Sequence, residues 1–172
     1  MNIFLIGYRA TGKSTVARNI AAALGLKCVD SDALIALAAG MTIAEIFVAE
    51  TEEGFRDRES EVVAKLALGD NQVVALGGGA VLRSENREAI RNKGAVVWLQ
   101  ASVDSVCERL AQDSQTPSQR PQLTAHDLVD EVSELMERRR DTYAAVADFT
   151  VDTESLNAAE VALEIIATLS AS

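Results

Sequence analysis

Gly7-Tyr8-Arg9-Ala10-Thr11-Gly12-Lys13-Ser14 has the spacing G-x-x-x-x-G-K-S/T of a phosphate-binding loop. Asn2 to Ile6 reads as a short apolar strand entering it. Ser14 to Leu24 leaves it with Val16, Ile20, Ala23 and Leu24 spaced for one helical face. A strand, a glycine-bearing turn and a helix start together make an anion trap. The loop N–H groups turn inward, and the helix adds its unpaired donors and positive dipole end. Gly7 and Gly12 allow backbone angles that a side chain would hinder. Lys13 can reach the outer phosphates of a nucleotide, and the Ser14 hydroxyl can ligate Mg²⁺. Gly7, Ala10, Thr11, Gly12, Lys13, Ser14 and Thr15 are the expected nucleotide-binding residues.

With 172 residues, the chain suits one domain with a substantial core. Its 48% hydrophobic and 24% charged residues are those of an ordinary globule. No apolar run approaches the roughly 20 residues of a membrane span. Cys28 and Cys107 lack metal-ligand spacing and read as buried thiols in a reducing cytosol. A formal net charge of −10 argues against nonspecific binding to nucleic acid or anionic lipid. The positive charge needed for a polyanionic ligand must therefore be gathered locally. Twelve of the sixteen basic residues are Arg, suited to bidentate grip on carboxylate and phosphate.

Further along, Lys27 to Asp30 reads as a second strand and Ala33 to Ala39 as a helix stopped by Gly40. Thr42 and Glu45 form a capping box for another helix, and Thr51 is expected to cap a longer one reaching Leu68. Val73 to Leu76 is a buried strand ending in Gly77-Gly78-Gly79. A helix from Ser84 to Lys93, a strand from Ala95 to Leu99 and a helix from Ser102 to Gln112 follow. Asp113 to Thr124 is a polar stretch carrying Pro117 and Pro121, the chain's only prolines. A long helix from Asp127 to Ala147, a strand from Phe149 to Val151 and a helix from Ala158 to Leu169 complete the chain. Alternating strands and helices imply an α/β fold, a five-stranded parallel sheet covered on both faces. Ligands of such sheets bind beyond the carboxyl ends of the strands, where Gly7, Asp30 and Gly77 should meet.

Asp30 and Asp32 can both face the phosphates, one near Mg²⁺ and one orienting or deprotonating an acceptor hydroxyl. Alternatively, Asp32 simply caps the next helix. The glycine triplet either admits a close approach by a ligand or forms a flexible turn. Arg56 with Glu59 three residues on, and Arg138-Arg139-Arg140, read most simply as solvated helix faces. The stretch around Arg120-Pro121 is either a surface loop or a lid whose arginine closes on a transferring phosphoryl group.

As an ordered set, Gly7…Gly12-Lys13-Ser14, Asp30-Ser31-Asp32, Gly54-Phe55-Arg56-Asp57-Arg58-Glu59, Gly77-Gly78-Gly79, Arg120-Pro121 and Arg139 four residues before Tyr143 resemble shikimate kinase, from about Asn2 to Leu169. The resemblance implies a three-layer fold of the P-loop nucleoside monophosphate kinase type, with acceptor-binding helices at about 32–68 and a mobile lid at about 112–124. It implies transfer of the ATP γ-phosphate, with Mg²⁺, to the 3-hydroxyl of shikimate in aromatic amino-acid biosynthesis, by a cytoplasmic enzyme expected to be a monomer.

Carried onto this chain, Asp32 reads the acceptor hydroxyls as base or orienter, and Asp30 joins Ser14 around Mg²⁺. Arg56 and Arg139 clamp the shikimate carboxylate, and Gly77, Gly78 and Gly79 lie against the acceptor. Lys13 and Arg120 stabilise the transferring group, and Arg109 is assigned to adenine. Ala10 stands where the family often has glycine, Gln122 where leucine is common, and the segment between Arg109 and Arg120 is longer than in many members. The nearest rival is a gluconate kinase, with the arginine pair Arg56 and Arg139 as the expected discriminator.

Overall fold

The computed structural model describes residues 1–112 and 125–171. Chain order among them is β1 (Asn2–Ile6), α1 (Lys13–Leu24), β2 (Lys27–Asp30), α2 (Ser31–Ala39), α3 (Ile43–Ala67), β3 (Gln72–Ala75), a 3₁₀ turn (Ala80–Leu82), α4 (Ser84–Ile90), β4 (Ala95–Gln100), α5 (Val103–Gln112), α6 (Ala125–Val146), β5 (Phe149–Asp152) and α7 (Ala158–Ala171). The strands form one sheet in the order β2-β3-β1-β4-β5, and every pairing is parallel.

The period-two alternation of each strand sends its side chains to opposite faces. From β1, Ile3 and Leu5 join Val16, Ile20, Val161 and Ile165 of α1 and α7 on one face. Phe4 and Ile6 join Val63, Leu66, Ile90 and Tyr143 of α3, α4 and α6 on the other. Each such fully buried side chain contributes about 1.5–3 kcal/mol, so the central strands are held from both sides.

Register then fixes the height of the strand ends. Asp30 lies opposite Ala75, and Ala75 opposite Leu5. The chain therefore leaves β2, β3 and β1 at one level, just before Ser31, Gly77 and Gly7. The expected five-stranded parallel sheet is present, and the expected lid at about 112–124 lies, apart from Gln112, outside the described residues.

Several boundaries differ from the sequence reading. Helix α2 begins at Ser31, two residues early, because Asp30 caps it. Helix α4 ends at Ile90 rather than Lys93, and Asn92 turns the chain at φ 58°. The capping box at Thr42 is made: Glu45 N–H donates to the Thr42 hydroxyl at 3.2 Å, and Thr42 N–H to the Glu45 carboxylate at 2.8 Å. The second helix does begin after Thr51. Thr51, however, is a break inside α3, with φ 63° and ψ 179°. Cys28 is exposed rather than buried, because β2 is an edge strand. No single helix among the described residues is long and apolar enough to cross a membrane.

Gly94 precedes β4 where it passes the start of β1. A Cβ at Gly94 would stand 2.2 Å from the Asn2 carbonyl oxygen, so the Gly94→Ala backbone must move. We expect a loss of about 1–3 kcal/mol and, for a chain of this size, a melting temperature lower by about 2–4 °C per kcal/mol. An unaltered thermal melt would show that the two strand starts are not packed this closely.

Candidate active site

The phosphate-binding loop closes tightly on the end of β4. A Cβ on Gly7 would lie 2.5 Å from the Leu99 carbonyl oxygen. Thr11 Oγ1 donates to the Tyr8 carbonyl at 2.8 Å. Lys13 folds back over its own loop, Nζ donating to the Gly7 and Tyr8 carbonyls at 2.8 and 2.6 Å. Burial lowers the Lys13 pKa to about 8, against the opposing pull of Asp32 and Asp30 and with a smaller push from Arg139. Ala10 and Gly12 both take positive φ, 62° and 89°. The loop thus keeps its left-handed turn at Ala10 despite a penalty of about 1–2 kcal/mol for an L residue. Arg109 reaches from α5 to the Ala10 carbonyl at 3.2 Å and Thr153 Oγ1 at 3.4 Å, tying the loop to the far end of β5. Thr15 is exposed and its hydroxyl accepts from Arg18 at 3.2 Å.

Asp30, not Asp32, caps α2: its Oδ1 accepts from the N–H groups of Asp32 and Ala33 at 3.0 and 3.2 Å. Its other oxygen accepts from Ser14 Oγ at 2.5 Å. Asp32 is thereby released from capping, and its Oδ1 is buried without a hydrogen-bond partner. The Ser14 and Asp30 oxygens fit Mg²⁺, which typically takes one or two protein oxygens and completes its octahedron with phosphates and water. Among the described residues no cluster of three or more His, Cys, Asp or Glu side chains offers a fuller protein cage.

The glycine run brings the scattered residues together. A Cβ on Gly77 would stand 2.6 Å from Asp32 Oδ1 and 2.9 Å from Glu59 Oε1, and one on Gly79 2.5 Å from both terminal nitrogens of Arg56. One on Gly78 would stand 3.2 Å from the Arg9 amide nitrogen, inside the phosphate loop. Arg139 donates to the Gly78 carbonyl at 3.4 Å, and Tyr143 O–H donates to the same oxygen. Asp32, Arg56 and Arg139, from three helices, thus meet one tripeptide that itself abuts the nucleotide loop. Arg120 lies outside the described residues.

The plain surface reading of Arg56 and Glu59 fails. Glu59 is 1% exposed, and its Oε2 accepts from Arg56 Nη1 at 2.6 Å. Its Oε1, like Asp32 Oδ1, has no partner. Arg138 and Arg140 do lie on a solvated face, near Glu134 and Glu137; Arg139 alone turns inward. The sequence reading gave no site role to Glu59, Tyr143 or Ser31. Ser31 is wholly buried and its Oγ accepts from Gly77 N–H at 2.9 Å. The available signals were their places beside Arg56, one turn after Arg139, and between the two aspartates.

Burial raises the pKa of both Asp32 and Glu59. Asp30 adds to the effect at Asp32, which Lys13 and Arg56 oppose; at Glu59 the chief opposition comes from Arg56. The pocket thus offers cationic donors at Lys13, Arg56 and Arg139 beside acceptor oxygens with nothing to accept from. That pattern suits a polyol acid next to phosphate.

The comparisons with known proteins agree. The family model described as shikimate kinase matches residues 9–170. The shikimate kinase of Symbiobacterium thermophilum is 46% identical over 96% of this chain and 94% of its own. That of Rhodopirellula baltica is 44% identical over 96% of this chain and 88% of its own. The solved structure of Acinetobacter baumannii shikimate kinase in complex with shikimate superposes with a TM-score of 0.90 at 35% identity, covering 99% of this chain and 93% of its own.

The raised pKa of Asp32 has a thermodynamic sign. The folded protein holds this proton more tightly than the unfolded chain, so the Asp32 contribution to stability is favourable at low pH and declines as pH rises above about 4. Asp32→Asn removes the charge. In ligand-free protein its stability advantage over the parent should grow as pH rises above about 4, read from denaturant midpoints. A difference independent of pH would show that Asp32 is not desolvated.

Proposed function

This chain belongs to the shikimate kinase family, ATP-using kinases that phosphorylate shikimate in aromatic biosynthesis, and on that premise we propose how its crevice performs the transfer. Shikimate sits on the bare backbone of Gly77, Gly78 and Gly79, where the absence of side chains lets the ring come close. Arg56 and Arg139 hold its carboxylate, the kind of charge-assisted contact that fixes orientation as well as affinity. Asp32 then accepts from the 3-hydroxyl, orienting it and taking its proton as the hydroxyl oxygen bonds to the γ-phosphorus and the bond from that phosphorus to the departing ADP oxygen breaks. The phosphate loop holds the nucleotide through its N–H groups, and Lys13 turns from its own carbonyls to the outer phosphates.

Ser14 and Asp30 would hold Mg²⁺, which would neutralise phosphate charge. Arg109 serves the nucleotide from its place against Ala10 and Thr153, and Arg120 joins from a lid at about 112–124. Phosphoryl transfer needs mainly this positioning and charge balance. We further propose a single domain with its acceptor-binding helices at about 32–68. It would act as a cytoplasmic monomer, in a compartment where Cys28 and Cys107 stay reduced.

The observation that carries the reading is the meeting of Asp32, Arg56 and Arg139 at Gly77–Gly79. The two convergent arginines call for an acceptor carboxylate; gluconate carries one too, so turnover rather than the arginine pair separates the two acids. A coupled ADP-release assay with shikimate, gluconate and no acceptor tests this: release should depend on shikimate, and equal rates with gluconate would overturn it. Asp32→Asn should lower turnover by roughly two decades or more while ATP still binds; near-normal turnover would remove Asp32 from the chemistry. Arg139→Ala should raise the KM for shikimate far more than that for ATP. Equal losses would mean the arginine serves both ligands alike.

A further inference from the structure

Thr51 breaks α3 at φ 63° and ψ 179°, a region occupied almost only by glycine. A β-branched residue stays there only when its surroundings hold it. Two contacts across the break do so. On the inner side, Phe47 stacks on Phe55 with ring centroids 4.7 Å apart. On the outer side, Glu50 folds back over Gly54, where a Cβ would stand 2.6 Å from the Glu50 Cβ. It grips Arg58, eight residues on, with both carboxylate oxygens, each at 2.7 Å from a guanidinium nitrogen. Between the residues so pinned lies Arg56. Its guanidinium stands 5.3 Å from the Phe55 ring centroid and, as described, against Gly79 and Glu59. The tight fit at Gly79 leaves Arg56 little room, so a small rotation of this helical turn would move the guanidinium off the acceptor.

We propose that the Thr51 break, latched by the Glu50–Arg58 pair, is a positioning device that aims Arg56 at the acceptor carboxylate, making Glu50 and Arg58 positioning residues for acceptor recognition. The inference rests on the proposed role of Arg56. Neither Glu50 nor Arg58 is among the residues meeting the glycine run, so their effect must pass through the helix.

The test uses the full chain with Arg58→Gln, the charge swap Glu50→Arg with Arg58→Glu, and Arg56→Ala as reference. Arg58→Gln should raise the KM for shikimate about three- to tenfold, with turnover at saturation and the KM for ATP within about twofold. The swap should recover most of the loss. An unchanged shikimate KM in Arg58→Gln beside a raised one in Arg56→Ala overturns the positioning device alone. A fall in turnover at unchanged KM, the mark of a lost folded fraction, does the same, as does a swap no better than Arg58→Gln. An unchanged shikimate KM in Arg56→Ala overturns the carboxylate role and the inference with it.

Discussion

Three successive positions without side chains, Gly77 to Gly79, are the constraint on which the site depends. On one side the run touches the phosphate loop at Arg9 and Gly7; on the other it is packed by Asp32, Glu59 and Arg56. Any Cβ at Gly77 or Gly79 would displace a charged side chain. The close approach is possible because β1 and β3 are neighbours in register, so the loops leaving them must pass each other. Sheet topology, set by apolar alternation along the strands, thereby brings the phosphate loop beside Asp32, Glu59 and Arg56.

The electrostatics follow from that crowding. A protein of net charge −10 gathers Lys13, Arg56 and Arg139 in one crevice beside the carboxyls of Asp30, Asp32 and Glu59. Arg56 is satisfied by Glu59, a buried pair whose disruption typically costs about 3–5 kcal/mol. Asp32 and Glu59 each keep one buried oxygen unpaired. Such atoms are costly in an ordinary core, and here both crowd the space that a side chain on Gly77 would fill. Lys13 is held meanwhile by the Gly7 and Tyr8 carbonyls, contacts it must give up to reach a phosphate.

Much of this was legible in the chain. The loop motif, the capping box at Thr42 and the alternating apolar strands were local signals, and local physics decided them. The structure departs where tertiary contacts outweigh local ones. Asp30 takes the capping role because it also meets Ser14 across the crevice, leaving Asp32 unpaired. Glu59 looks like a surface partner of Arg56 in sequence, yet packing beneath Gly77 buries it. The helix boundary at Thr51 was expected from the sequence, but its positive φ was not, since Phe47, Phe55, Glu50 and Arg58 enforce it from outside the residue. The arginines were the hardest to read: Arg138, Arg139 and Arg140 are alike in sequence, and only the azimuth of α6 selects the middle one.

The most direct measurement is a crystal structure of the protein with shikimate and a non-transferable ATP analogue, read for the position of the shikimate carboxylate. It should lie within about 3 Å of both the Arg56 and Arg139 guanidinium groups, with a ring hydroxyl on Asp32 and the ring over Gly78. A carboxylate bound away from both arginines, or shikimate seated where Asp32 cannot reach it, would contradict the convergence on Gly77–Gly79.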